Sequence, residues 1–448
     1  MNAERQIAKE FILQTNRNLF LTGRAGTGKT TLLKEVLRET NKNAVVVAPT
    51  GVAAINAGGV TIHSMFQLPT AAFIPDFQTG TGSDHFITRN QLAQSQRIRK
   101  ERRQLIIELE LLVIDEISMV RADLLDAVDF TLKRLRHNAL PFGGVQLLVI
   151  GDLFQLSPVV RSFEMSILNR YYHSMFFFEA HVWRSCDPVC IELKKVYRQE
   201  ESSFIGILNN IRNGVKEEND LTELNKRFSD QADSASAITL TTHNNKAEII
   251  NQKELGLLTG PKYTLKAQVN GRFAESAYPT EEKIVVKKGA KVMFLRNHSE
   301  GLYYNGKIGE VTGKVDEILL VKCEGEKNPI QITPIEWKNT RYVLDQTTKE
   351  VKQQDIGQFK QYPIKLAWAV TVHKSQGLTF DHVMLDLEDT FAPPKIAVTG
   401  FSLSLSTRLI LSISLLSNEP KHFLSSKNWA TMVVEACARC AVPKASLI

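Results

Sequence analysis

Near-continuous apolar runs of strand length recur through the first third of the chain: NLFLT (18–22), AVVVA (44–48), LLVI (111–114) and VQLLVI (145–150). Such runs suit strands covered on both faces, as in a parallel sheet. Between them the spacing turns helical, as in TLLKEVLRE (31–39), and the N-terminal AERQIAKEF reads as an amphipathic helix. This alternation predicts an α/β domain over residues 1–185, a parallel sheet with helices on both faces. Residues 67–90, rich in Pro, Thr, Gly and Phe, break the alternation and read as a small insertion. A second core is expected over 186–274, with its sheet resuming at ITLTTHN (238–244). From 275 to 362 the texture becomes short alternating runs with glycine turns (VKKGAKVMFLRN, GKIGEVTGKV, EILLVKCEG), the pattern of a small β-barrel. Residues 363–448 complete the second core, with an atypical tail from about 395.

Composition narrows the picture only a little. At 448 residues and 43% hydrophobic content, the chain is long enough for several buried cores. No run approaches the ~20 apolar residues that span a bilayer, and the N-terminus lacks a signal-peptide pattern, so an intracellular location is expected, cytoplasmic if bacterial and nuclear if eukaryotic. The five cysteines (Cys186, Cys190, Cys323, Cys437, Cys440) are too sparse for a disulfide framework, and the single CxxC at 437–440 has no second pair to complete a zinc site. A net charge of +7 permits a polyanionic partner without requiring one.

The loops that follow the apolar runs hold the chemistry. Gly23-Arg24-Ala25-Gly26-Thr27-Gly28-Lys29-Thr30, followed by Thr31, fits G-x-x-x-x-G-K-[ST] between a strand and a helix. Glycines let backbone N–H groups turn toward phosphates, and the helix N-terminus adds positive potential. Lys29 is expected on the β- and γ-phosphates of ATP, and the Thr30 hydroxyl on Mg²⁺. Asp115-Glu116 ends the LLVI strand, with Asp115 expected to hold Mg²⁺ through water and Glu116 to orient or deprotonate the attacking water. Gln155, just past the strand ending at Gly151-Asp152, is an amide placed near the γ-phosphate.

Further motifs stand in a fixed order: APTGVAA (48–54), TIHS (61–64), GDLFQL (151–156), YRQ (197–199) and TVHKSQG (371–377). Together with the phosphate loop and DEISM they resemble the superfamily-one DNA helicases, and in form the Pif helicase family, relatives of the RecD helicases; the resemblance covers about 1–390. It implies two RecA-like core domains, with YYNGKIGEV (303–311) resembling a Src-homology-three-like insertion in the second. It also implies Gln6 at the adenine, Arg198 as an arginine finger on the γ-phosphate, and Gln376 and Gly377 linking nucleotide to DNA. Thr50, Gly51, His63, Ser64, Thr242, His243, Asn244, His373 and Lys374 are implied as DNA contacts, mostly short donors suited to phosphates. Single-stranded, forked or structured DNA is the implied partner of a monomeric enzyme moving 5′-to-3′, in replication, repair, recombination or telomere maintenance.

Some readings stay open. Phe66 is favoured as core over base stacking. The basic helix 95–105 faces either solvent or DNA, and Tyr303 and Tyr304 face either the barrel interior or DNA. The tyrosine-valine-alanine-leucine-serine-arginine phrase of the family is missing after FDHVMLDLEDTFAPP, and Arg408 is the nearest arginine to its place. Either the tail has diverged, with Arg198 neutralising charge largely alone, or the reading frame has shifted near 395, giving an ATP- and DNA-binding protein impaired in catalysis. A remodelling ATPase acting on protein is a third reading, which leaves TIHS and TVHKSQG unexplained.

Overall fold

A computed structural model describes residues 3–24, 26–77, 85–195, 210, 238–241, 243–298, 300–371, 375, 382–386 and 408–412. They form two compact units, the first combining the residues up to 195 with Thr340–Asp355, the second holding the remainder.

In the first unit the strands are β1 (Leu19–Gly23), β2 (Ala44–Ala48), β3 (Val60–Thr61), β4 (Ala72–Ile74), β5 (Phe86–Thr88), β6 (Leu111–Ile114), β7 (Gln146–Gly151) and β8 (Val189–Leu193). The helices are α1 (Ala3–Gln14), α2 (Lys29–Glu39), α3 (Gly51–Ala57), α4 (Ile62–Phe66), α5 (Arg89–Ser95), α6 (Lys100–Ile107), α7 (Ala122–Arg136), α8 (Ser162–Leu168) and α9 (His181–Cys186). Six strands pair in the order β3-β2-β6-β7-β1-β8, every pair parallel. The apolar runs are central: β1, β6 and β7 are buried along their whole length, as a sheet covered on both faces requires. One face packs on Ile12, Leu32, Leu33 and Val36 of α1 and α2, and Phe20 packs edge-on to Phe177 and Trp183.

The domain boundary expected at 185 falls short of this sheet. β8 pairs with β1 in the register Leu19↔Val189, so the sheet runs on to residue 193. Its residues are half-exposed apart from Leu193 and the exposed Glu192, because β8 is an edge strand, and the buried-strand pattern is lost there. The expected insertion is a two-stranded parallel pair, β4 with β5, in the register Ala72↔Phe86.

Helix α7 buries three carboxylates a turn apart, Asp123, Asp126 and Asp129. Buried charge is costly unless hydrogen-bonded, and each has partners. Asp126 accepts from the His181 and Val182 N–H groups at 3.0 and 2.9 Å and from the Tyr172 hydroxyl at 2.9 Å, capping α9. Asp129 accepts from the N–H of Phe142 at 2.7 Å, where φ is 52°, and pairs with Lys133 at 2.8 Å. Burial raises the pKa of both carboxyls, against the pull of those donors.

The segment Thr340–Asp355, the turn end of a hairpin formed by the neighbouring strands Ile335–Leu344 and Val351–Gln361, lies inside the region expected to be barrel, yet it packs with the first unit. β3 covers only Val47 and Ala48 of β2, so the amino half of β2 is an open edge. The Tyr342 hydroxyl accepts from the Val46 N–H at 3.1 Å. Asn43 donates to the Lys349 carbonyl at 3.0 Å and accepts from the Val351 N–H at 2.8 Å, and Gln353 donates to the Gly58 carbonyl at 2.7 Å. These bonds shield edge groups that would otherwise template foreign strands.

The second unit holds a four-stranded parallel sheet, Ala369–Thr371, Ile238–Thr241, His382–Asp386 and Arg408–Ser412 in spatial order. It also holds a five-stranded sheet in which Ile330–Ile332, Ile318–Cys323, Ile308–Val315, Lys291–Phe294 and Ile364–Leu366 pair antiparallel. Tyr303 is buried in this antiparallel module, stacked on Phe294 at 4.1 Å, whereas Tyr304 is exposed. Among the described residues no helix is long and apolar enough to cross a membrane.

Two substitutions test the edge of the first sheet. Tyr342→Phe removes one acceptor worth about 1 kcal/mol, so a peptide spanning 44–48 should exchange its Val46 amide roughly fivefold faster by mass spectrometry; an unchanged rate would show that the hairpin does not guard the edge. A Cβ on Gly59 would lie 2.2 Å from the Val46 carbonyl oxygen. Gly59→Ala should therefore cost about 1–3 kcal/mol in urea unfolding, and a neutral result would mean that this close approach relaxes freely.

Candidate nucleotide and nucleic-acid site

Strand order decides which loops become neighbours. The registers Thr22↔Gly151, Ile114↔Val149 and Val47↔Ile114 align the carboxyl ends of β1, β7, β6 and β2. Adjacent strands lie about 4.8 Å apart. Along one edge the order is therefore Thr50-Gly51, Asp115-Glu116, Asp152–Gln155 and the phosphate loop.

In that loop Gly23, Gly26 and Gly28 have φ of 150°, 77° and 85°, backbone that favours glycine. A Cβ on Gly23 would meet the Leu193 carbonyl at 2.7 Å and Thr27 Oγ1 at 2.8 Å. Thr27 is buried and donates to the Arg24 carbonyl at 2.8 Å, while Thr30 and Thr31 stand exposed in the first turn of α2. Lys29 Nζ donates to the carbonyls of Gly23 at 2.7 Å and Arg24 at 3.0 Å, which holds the ammonium over the loop's own ring. Ala25 lies outside the described residues.

Glu116 takes a left-handed backbone, φ 53° and ψ 45°. For a non-glycine residue that costs on the order of 1–3 kcal/mol and tends to mark functional sites. Asp115 Oδ1 accepts the Glu116 N–H at 2.9 Å and so stabilises the turn. Burial pushes the Asp115 carboxyl up, against the Glu116 N–H and the Lys29 ammonium, which favour the carboxylate. A Cβ on Gly151 would lie 2.8 Å from Ile117 Cγ2, so the loop after β7 presses directly on the DEISM turn. Asp152 orders that loop, accepting from the Phe154 N–H at 3.1 Å and from Gln155 Nε2 at 3.4 Å.

Among the described residues no group of three or more His, Cys, Asp or Glu side chains gathers to hold a metal. One hydroxyl, Thr30, and one carboxylate, Asp115, suit Mg²⁺, which keeps several waters and leans on substrate phosphates rather than on an all-protein cage. Gln6 is exposed on α1 and donates to Glu10 at 2.7 Å. The ion pairs Arg5–Glu35 and Lys9–Glu39 lay α1 parallel beside α2, with both N-termini at the phosphate-loop end.

On the flank of the nucleotide loops, Thr50 caps α3 by accepting from the Ala53 N–H at 3.2 Å, with Gly51 as the first helical residue. Thr61 caps α4 through the Ser64 N–H, leaving Ser64 exposed and His63 half-buried. Burial lowers the pKa of His63 and Arg121 adds to this, with Asp123 opposing. Burial thus favours the neutral imidazole of His63. Phe66 is fully buried, as favoured. Past Ser95, the basic stretch 95–105 is helical only from Lys100 on, and Arg97, Arg99, Lys100 and Arg103 are exposed, whereas Arg102 turns inward and donates to the carbonyls of Ser64 and Met65, the second at 3.2 Å. It fastens the end of α4 behind the TIHS turn.

In the second unit, His243 and Asn244 are exposed at the carboxyl end of the Ile238–Thr241 strand, and Asn244 Oδ1 accepts from the Thr371 hydroxyl at 3.4 Å on the neighbouring strand. Arg408 opens a strand, in register with His382. Arg198, Thr242, His373, Lys374, Gln376 and Gly377 lie outside the described residues. Arg102, Arg121, Asp123 and Tyr342 were not legible as site-supporting residues. They belong to no motif, and only the fold brings them to the site loops or to the strand behind them.

A family model described as PIF1-like helicase matches residues 2–222. The ATP-dependent DNA helicase Pif1 of a Psychrobacter species is 33% identical over 85% of this chain, which spans only 63% of that protein's length. The Pif1 of a Bacteroides species, solved with ADP-AlF4, superposes with a TM-score of 0.86 at 35% identity, covering 97% of each chain. The Bacteroides Pif1 bound to single-stranded DNA superposes at 0.62 and 36% identity, covering 92% of each chain. With 35% identity along nearly the full length of a solved relative, this chain belongs to the PIF1-like helicase family.

Proposed function

We propose that this chain is an ATP-dependent DNA helicase that translocates 5′-to-3′ on single-stranded DNA and opens forked or structured duplexes, acting as a monomer in genome maintenance. The observation that carries the reading is the shared edge. The Thr50 loop stems from β2, next to the strand bearing Asp115-Glu116, and TIHS from β3, one strand further out. A change at the γ-phosphate is thus two strands away from a grip on DNA.

In this reading, Lys29 binds the β- and γ-phosphates and holds the terminal phosphoryl group still. Glu116, held out of line by its left-handed backbone, orients the attacking water and takes its proton. Gln155, braced on Asp152, contacts the γ-phosphate and senses its departure. Mg²⁺, held by Thr30 and through water by Asp115, would neutralise charge on the phosphates. Neutral His63 and the Ser64 hydroxyl donate to backbone phosphates without reading sequence. His243 and Asn244 form a second grip, and unequal affinity in the two nucleotide states makes the cycle a motor. The antiparallel module of the second unit is Src-homology-three-like, and the compartment is the cytoplasm if the source is bacterial.

A second reading keeps binding but loses turnover. It is favoured by Arg408, which lies on a strand instead of the short helix that the family's arginine phrase occupies.

Steady-state ATP hydrolysis with and without a short single-stranded oligonucleotide separates them. The helicase reading expects strong stimulation by the oligonucleotide, abolished in Lys29→Ala. Oligonucleotide binding without turnover would favour the second reading, and turnover indifferent to DNA would sink both. Glu116→Gln should lower kcat roughly 100-fold or more with ATP affinity retained; a kcat near that of the wild type would remove Glu116 from the role of base.

A further inference from the structure

Behind the DNA-side loops sits a charge cluster that the reading above does not use. Arg121, five residues past Glu116, grips Asp123 with two N–H groups, Nε to Oδ1 at 2.8 Å and Nη2 to Oδ2 at 2.9 Å. Its third nitrogen, Nη1, donates to Glu164 Oε2 at 3.2 Å. Asp123 is 2% exposed and Glu164 6%. Each carboxylate also holds backbone from another element: Asp123 Oδ2 accepts the Phe73 N–H of β4 at 3.0 Å, and Glu164 Oε2 accepts the Arg161 N–H at the start of α8 at 3.0 Å. β4, held by Asp123, follows α4 and its His63 turn after only five residues.

One guanidinium therefore joins the chain leaving the Asp115-Glu116 turn, the helix following the Gln155 loop, and the first strand of the insertion. A bidentate arginine–carboxylate pair fixes orientation as well as distance. Breaking a buried pair on one side leaves an uncompensated charge, so the arrangement is rigid.

We propose that Arg121, Asp123 and Glu164 are positioning residues that register the β4–β5 insertion and the His63 turn against the two ATP-side loops, so that bound DNA raises the rate of ATP turnover through this cluster. The inference rests on the DNA-dependent reading of the site. It assigns the cluster no contact with ATP or DNA, which sets the signature: turnover without DNA survives, and its response to DNA does not.

The test measures ATP turnover against oligonucleotide concentration for the wild type, Asp123→Asn and Asp126→Asn. Asp126 is an equally suitable buried carboxylate of the same helix, but it holds α9 and Tyr172 and no element of the site. For Asp123→Asn the expected result is DNA-free turnover and KM for ATP within about twofold of the wild type, with the maximal stimulation by the oligonucleotide lowered at least tenfold. Asp126→Asn should lower Tm without lowering that stimulation. If Asp123→Asn fails to fold, Arg121→Lys, which keeps the charge and loses the bidentate fork, takes its place with the same expectation. Equal losses of stimulation in the two aspartate variants, a proportional fall of DNA-free and stimulated rates, or no loss in Asp123→Asn would each overturn the proposal. A wild type whose turnover ignores DNA would overturn the functional reading and this inference together, which is distinguishable from a stimulated wild type with an unaffected variant.

Discussion

Parallel hydrogen bonding is the constraint on which the first unit depends. Once six strands run in one direction, every loop that follows a strand opens at the same edge, and strand order alone fixes the sequence of chemistries along it. The order β2-β6-β7-β1 places Thr50-Gly51, the Asp115-Glu116 pair, Gln155 and the glycine-rich loop at intervals of one strand. Neither the helices nor the loops have to be long. A single antiparallel strand in this series would remove one of those chemistries to the opposite edge.

Helix α7 solves a different problem. Its apolar residues Leu125, Val128, Leu132 and Leu135 are buried, yet Asp123, Asp126 and Asp129 are buried with them, at intervals of about a turn. Each carboxylate accepts backbone N–H groups from another element: a strand of the two-stranded insertion, the start of α9, and a left-handed turn. The helix thus acts as a spine for irregular backbone. This explains how a polar residue can recur on a face where periodicity asks for leucine, since the desolvation cost is offset by donors that would otherwise be buried without acceptors.

What the sequence made legible follows from the same physics. β1, β2, β6 and β7 were readable because strands covered on both faces must be apolar almost throughout, and the glycines of the phosphate loop because their backbone excludes other residues. β8 escaped because an edge strand mixes Cys190 and Glu192 among its apolar positions. Arg102 read as a solvent- or DNA-facing charge, since nothing local reveals that a guanidinium caps carbonyls some forty residues earlier in the chain. The hairpin was assigned to the barrel because its pattern of alternation is that of any two-stranded ribbon. Which sheet it guards is a long-range fact, written in contacts of Asn43, Gly58, Gln353 and the hydroxyl of Tyr342.

That hairpin also bears on how the polypeptide is made. Thr340–Asp355 belongs to the first unit but is reached only after much of the second has been translated. At 5–20 residues per second, the ribosome delivers it on the order of ten seconds or more after β8 has emerged. Throughout that interval the nascent first unit carries an open strand edge at β2, which is the kind of surface that invites pairing with a neighbouring chain. The two units are threaded through each other in sequence, so no single cut between them yields an intact first half, and a chaperone that shields edges is most useful before residue 355 appears.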